Sequence, residues 1–140
     1  MNGILLPSTF FSGLKFMKIM IVDDNEDARI YLATLVEIKG YETMLASNGQ
    51  IALEMIEEDL PDLIITDILM PQMDGFELCR QIKANSEWKS ISLIIYTGSY
   101  TTDVDEQLGL SLGAIKYITK PQEPETLIGI IQQVIEDRKS

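Results

Sequence analysis

The stretch 63-LIITDILMPQMDG-75 decides the fold. Leu63–Thr66 is a short apolar, β-branched run that ends abruptly in a carboxylate, Asp67, and then in a Met-Pro turn. A run of this length bounded by turn residues fits a strand covered on both faces. Two similar runs occur, Ile19–Val22 before Asp23-Asp24 and Leu93–Tyr96 before Thr97. Glu42–Ala46 and Ile115–Ile118 read as strands too, but Glu42, Thr43 and Lys116 suit the edges of a sheet.

Helical spacing fills the intervals. Ala28, Leu32, Leu35 and Val36 lie on one stripe, with Asn25 as N-cap and Gly40 as stop. Ala52, Met55 and Ile56 form a second, opened by Asn48 and closed before Pro61. Leu78, Cys79 and Ile82 form a third. Leu127, Ile131, Val134 and Ile135 form the last, with Pro124 suited to its first turn. A fourth helix after Thr101 or Thr102 carries Gly109, which costs about 1 kcal/mol in a helix interior. Strict β-α alternation implies a doubly wound α/β fold, a parallel sheet with helices on both faces. With the second and fifth strands at the edges, the expected order is 2-1-3-4-5, the flavodoxin-like arrangement.

The chain has 140 residues, enough for one core and too few for two ordinary domains. Its formal net charge of -11 argues against nucleic acid as a partner, which needs Lys and Arg, and favours a cation or a basic protein surface. A single cysteine, Cys79, excludes an internal disulfide and gives no sign of an oxidising compartment, so a cytoplasmic location is expected. There is no histidine, hence no His-based catalysis or ligation within the chain. Residues 1-MNGILLPSTFFSGLKF-16 hold no charge before Lys15 and are interrupted by Pro7 and Gly13. They lack the pattern of a secretory signal and are too short to span a membrane. They read as a poorly ordered extension ahead of a domain at 17–140, with a packed arm as the alternative.

In doubly wound sheets, ligands bind beyond the carboxyl ends of the strands where strand order reverses, here between strands one and three. The strand ends bring Asp23, Asp24, Asp67, Thr97 and Lys120 to that edge. Two carboxylates about 4 Å apart repel by roughly 4 kcal/mol at an effective dielectric of 20. Such a group recruits a cation or shifts its own pKa values. Oxygen-only donors favour Mg²⁺, or another divalent ion such as Mn²⁺. A carboxylate beside such an ion can take up a phosphoryl group, with Lys120 and the Thr97 hydroxyl on its remaining oxygens. Each residue has a blander reading alone: Asp23 and Asp24 as helix caps, Asp67 as a turn residue, Thr97 as a satisfied strand end, Lys120 as a solvated lysine. Met70 and Met73 read as packing residues, and Tyr117 as cover for a sheet edge. Together, the bland readings leave the convergence unexplained.

The segments 19-IMIVDDNEDAR-29, 63-LIITDILMPQMDG-75, 94-IIYTG-98 and 117-YITKP-121 closely resemble the receiver domain of two-component response regulators, of the stand-alone, chemotaxis-receiver-like type. The resemblance covers residues 17–138. It implies Asp67 as phosphoacceptor, Asp24 and Asp67 with the Leu69 backbone carbonyl as Mg²⁺ ligands, and Asp23 acting largely through water. It implies that Thr97 and Lys120 hold the phosphoryl group and that Tyr117 is an aromatic switch. It further implies a cis bond before Pro121 and phosphorelay signalling from a sensor histidine kinase or histidine phosphotransfer protein. With no output domain after the fifth helix, the expected output is a separate protein reached through the surface of helix four, strand five and helix five. A monomer or weak homodimer, without membrane or nucleic-acid contact, is expected.

Departures from the family pattern carry expectations of their own. Gly98 stands where Ala is common and gives backbone freedom. Leu69 supplies no group to orient water, which implies a long-lived aspartyl phosphate. A haloacid-dehalogenase-type phosphohydrolase would want a second Asp at position 69. A flavodoxin-like cofactor module would want a Gly/Ser/Thr-rich loop in place of 23-DDNEDA-28. A degenerate receiver would have lost one of the five site residues, and none is missing.

Overall fold

The computed structural model describes residues 17–139. The expectation of an extension at 1–16 lies outside the described residues. Strands β1 (Lys18–Val22), β2 (Glu42–Ala46), β3 (Leu63–Thr66), β4 (Ser92–Thr97) and β5 (Ala114–Thr119) alternate with helices α1 (Glu26–Ile38), α2 (Gly49–Glu58), α3 (Gly75–Ala84), α4 (Asp103–Ser111) and α5 (Pro124–Arg138). All strand pairings are parallel, in the order β2-β1-β3-β4-β5. The polar strands stand at the edges, as their composition requires.

Side-chain alternation divides the central strands between two cores. Met20, Val22, Ile64, Leu93 and Ile95 pack with α2 and α3 residues such as Ile56, Leu78 and Ile82. Ile19, Ile21, Leu63, Ile65 and Ile94 pack with Leu32, Val36, Leu127 and Ile131 of α1 and α5. Each such fully buried side chain contributes roughly 1.5–3 kcal/mol of transfer free energy. That explains why β1, β3 and β4 read as unbroken apolar runs.

The helix ends follow local chemistry. Asn25, Asn48 and Asp74 cap α1, α2 and α3, their side-chain oxygens accepting from Ala28, Ile51 and Glu77 amides, each at 2.8 Å. Asp23 and Asp24 therefore do not cap α1. Gly40 ends that helix region at φ +91°. Thr102, not Thr101, caps α4, in a capping box with Asp105. Gly109 inside α4 has a steric reason. A Cβ there would stand 2.6 Å from the Tyr117 ring and 2.8 Å from Ile95. Met70 is buried in the core, and Met73 packs on Gly49. The Lys120-Pro121 peptide is cis.

Candidate functional site

Register sets the site. Val22 of β1 is paired with Thr66 of β3, so the next residue on each strand places Asp23 beside Asp67. The Asp67 amide donates to the Val22 carbonyl at 3.0 Å, which fixes the chain at the strand exit. Thr97 is paired with Thr119, and the Lys120 amide donates to the Thr97 carbonyl at 2.9 Å. These pairings aim the Lys120 side chain back across the sheet end.

The Lys120 ammonium bridges the two carboxylates, 2.9 Å from Asp23 Oδ2 and 3.0 Å from Asp67 Oδ2. Burial of the ammonium works to lower its pKa. The hydrogen bonds and charges of Asp23 and Asp67 outweigh burial, leaving the group above the ordinary lysine value. The other oxygens are held by backbone: Asp67 Oδ1 accepts from the Ile68 amide at 2.6 Å, and Asp23 Oδ1 from the Asn25 amide at 3.0 Å. Both carboxylates are thus oriented, yet each oxygen keeps accepting capacity, since an ionised carboxylate offers about four lone-pair sites.

The loop after Asp67 is tightly built. The Thr66 hydroxyl donates to the Asp67 carbonyl at 2.8 Å, and the Gly75 amide donates to the Ile68 carbonyl at 2.9 Å. A Cβ on Gly75 would lie 2.1 Å from the Asp67 carbonyl oxygen, so a side chain at this position is excluded. Gln72 turns the loop with a positive φ of 71°. Leu69 is 56 % exposed on this loop.

Thr97 is fully buried, and its hydroxyl accepts from the Ser99 amide at 3.2 Å. The Tyr117 hydroxyl donates to the Tyr100 carbonyl at 2.7 Å. Burial, reinforced by the nearby Asp105, Glu106 and Asp67 charges, pushes its phenol up to about 12. Cys79 is buried, and burial pushes its thiol up to about 12, so it offers no competing nucleophile.

The oxygen-only donors fit a hard divalent cation. Asp24 is exposed and makes no ion pair with a described residue. Among the described residues, no three His, Cys, Asp or Glu side chains are gathered into a ready cage. The carboxylates suit an ion that takes one or two of them and completes its octahedron with backbone and water oxygens.

Two contributors escape a reading of the sequence. The Arg29 guanidinium donates to the Asp23 carbonyl at 2.7 Å. The cap at Asn25 and the lean of helical side chains toward the N-terminus are the signals that point to it. The Tyr96 ring lies 5.3 Å from the Lys120 Nζ, a cation–π contact beside the ion pair. Alternation along β4 puts Tyr96 on the α1–α5 face with Ile94.

A family model described as the response regulator receiver domain matches residues 19–132. An uncharacterised 14.6 kDa protein from the sodA1 3′ region of Leptolyngbya boryana is 37% identical over 117 residues, 84% of this chain and 88% of that protein. The alkaline phosphatase synthesis transcriptional regulatory protein PhoP of Bacillus subtilis is 35% identical over 118 residues, 84% of this chain and 48% of its own length. The chain spans about half the length of most curated relatives that it matches. Among solved structures, a CheY-like receiver domain protein from Methanospirillum hungatei superposes with a TM-score of 0.83 at 28% identity, covering 89% of this chain and 98% of that one. The Vibrio cholerae chemotaxis protein CheY4 gives 0.80 at 32% identity, covering 86% and 99%. No helix among the described residues is long and apolar enough to cross a membrane.

Proposed function

The chain belongs to the response regulator receiver domain family, and from that membership we propose that Asp67 accepts a phosphoryl group from a phosphohistidine of a sensor histidine kinase or histidine phosphotransfer protein. The observation that carries the proposal is the Lys120 ammonium bridging Asp23 and Asp67. An Asp67 oxygen bonds to phosphorus as the P–N bond breaks. The bonding pair leaves on the imidazole, which takes a proton from water. The Ile68 amide and Lys120 hold the attacking carboxylate in place, and Lys120 with the Thr97 hydroxyl holds the transferred group's oxygens. A bound Mg²⁺ or Mn²⁺, held by Asp24, Asp67 and the Leu69 carbonyl with Asp23 acting largely through water, would offset charge on the transferring group.

The phosphate adds about 1.5 to 2 negative charges at the sheet end. That change biases Thr97 and Tyr117 and so alters protein contacts at α4, β5 and α5. The domain then acts as a signalling phosphoacceptor, in the cytoplasm, where it meets the donor. Exposed Val104, Leu108 and Ile115 give that face apolar contact area.

The test is acetyl phosphate with Mg²⁺, followed by intact mass. Wild type gains one phosphate and Asp67→Asn gains none; an adduct on the variant, or none on wild type, overturns the proposal. The proposed phosphate is long-lived because exposed Leu69 orients no water. Leu69→Asn is expected to speed its hydrolysis several-fold, and an unchanged decay removes that explanation.

A further inference from the structure

The β4–α4 loop is held at two successive points. Thr97 holds it at Ser99 through the 3.2 Å hydrogen bond. One residue further, the Tyr100 ring meets Phe76 edge-on, with centroids 5.8 Å apart and planes at 80°. Tyr100 is also the residue whose carbonyl accepts the Tyr117 hydroxyl. Phe76 directly follows Gly75, the residue packed so closely on the Asp67 carbonyl that no Cβ fits. A continuous path of contacts therefore runs from the Asp67 peptide through Gly75 and Phe76 to Tyr100 and Tyr117, and it bypasses Thr97.

We propose that Phe76 is a positioning residue: its edge contact with Tyr100 holds the Tyr100 peptide where it binds the Tyr117 hydroxyl, giving the acceptor a second link to the switch face. The inference rests on the reading of Asp67 as acceptor and Tyr117 as switch. The geometry gives it direction. Gly109 leaves room for the Tyr117 ring against α4, so that ring lies inward while Tyr100 presents its carbonyl. Edge-to-face pairs give a bias without a rigid lock, sized to let the aromatic move. Displacement of the Asp67 peptide shifts Gly75, because the two are in contact and cannot slide past each other.

The test uses the whole chain labelled with 3-fluorotyrosine, without any phosphodonor. The chain has five tyrosines, and Tyr117→Phe assigns the resonance. Phe76→Ala is expected to move the Tyr117 signal toward the solvent-exposed shift, raising the outward-to-inward ratio roughly two- to tenfold, the bias an edge-on pair supplies. Phe76→Tyr should restore the wild-type shift. Tyr100→Ala keeps the accepting carbonyl but loses the ring, and it should match Phe76→Ala; the double variant should add little more. Should Phe76→Ala fail to fold, Phe76→Leu keeps the bulk and loses the edge-on ring, and the same shift is expected. An unmoved Tyr117 signal in a folded variant, or fully additive effects, overturns the inference. The readout needs no phosphorylation, so it stands apart from the acetyl phosphate test. In that assay Phe76→Ala should still gain its phosphate on Asp67.

Discussion

Both ends of the sheet bury an aspartate that is 7% exposed, Asp23 where the strands end and Asp62 where they begin. Around Asp62 the acids and bases are paired across elements. The Lys18 amide donates to Asp62 Oδ2 at 2.9 Å, and the Arg138 guanidinium stands 3.7 Å from Oδ1. Arg138 also donates to the Ser90 carbonyl at 2.8 Å and the Ser92 hydroxyl at 2.7 Å, and the Lys18 ammonium pairs with Asp59. Lys18 and Arg138 thus meet Asp59 and Asp62, with Glu42 also near Lys18, and the cluster ties β1, β3, β4 and the end of α5 together. Around Asp23 one ammonium serves two carboxylates: Lys120 contacts both Asp23 and Asp67, while the exposed Asp24 beside them makes no ion pair with a described residue. Pairs that tie several elements together stabilise the fold, whereas carboxylates held side by side at a strand end mark a candidate ligand site.

The largest expected effect breaks the upper end alone. Lys120→Met should lower acetyl phosphate labelling of Asp67 on the order of a hundredfold, the usual cost of one preorganised donor to a transferring group. It leaves Asp23 and Asp67 facing each other without their counter-ion, so Mg²⁺ should raise the variant's urea midpoint more than it raises wild type's. Equal Mg²⁺ responses would mean that the lysine is not the group balancing these carboxylates. The pH dependence has a definite sign. Lys120 is raised above its ordinary value in the folded chain, so its contribution is complete below about 10.5 and is lost as pH climbs through the folded pKa. The stability gap between wild type and Lys120→Met should therefore stay constant through neutral pH and close in strong alkali.

The next effect separates the ends. Asp62→Asn should cost roughly 1–3 kcal/mol in urea unfolding, because the amide cannot face Arg138 as an anion, while labelling of Asp67 persists. Asp23→Asn should do the reverse. Its amide oxygen still accepts from the Asn25 amide, and one of several like charges is gone, so the stability loss is the smaller of the two. Labelling should fall. If both variants lose stability equally and label equally, the two ends are not divided between stability and chemistry.

The division between the ends was only partly legible in the sequence. Composition identified the central strands, since burial on both faces leaves an unbroken apolar run, and the residues ending them identified the candidate chemistry. Register was not legible. Nothing in Ile19–Val22 or Leu63–Thr66 states that Val22 pairs with Thr66, although that pairing brings Asp23 and Asp67 under one ammonium. Close approach is hidden for the same reason: by propensity Gly109 only weakens α4, and it takes the folded chain to bring up the Tyr117 ring that requires it. The pairing of Asp62 with Arg138 carries no sequence signal, because a lone aspartate before a strand and an arginine ending a helix are ordinary surface residues until the chain closes.

The smallest expected effect compares a glycine at each end. Gly113 precedes β5 at the lower end with φ +112°, and a Cβ there would meet the Lys83 stem at 2.5 Å. Gly113→Ala should therefore destabilise, through both backbone strain and the displaced lysine. Gly98 at the upper end has no such need. Its φ lies outside the left-handed region, and an added Cβ would sit 3.5 Å from the Lys120 Cβ, an ordinary contact. Gly98→Ala should raise stability by roughly 0.4–1 kcal/mol, chiefly by restricting the unfolded chain. Two urea curves with unchanged slope decide the matter. A loss for Gly98→Ala would mean that the loop after Thr97 depends on backbone freedom that its φ does not reveal. A gain would show that alanine fits the native loop without strain, so that glycine is not required here for fit.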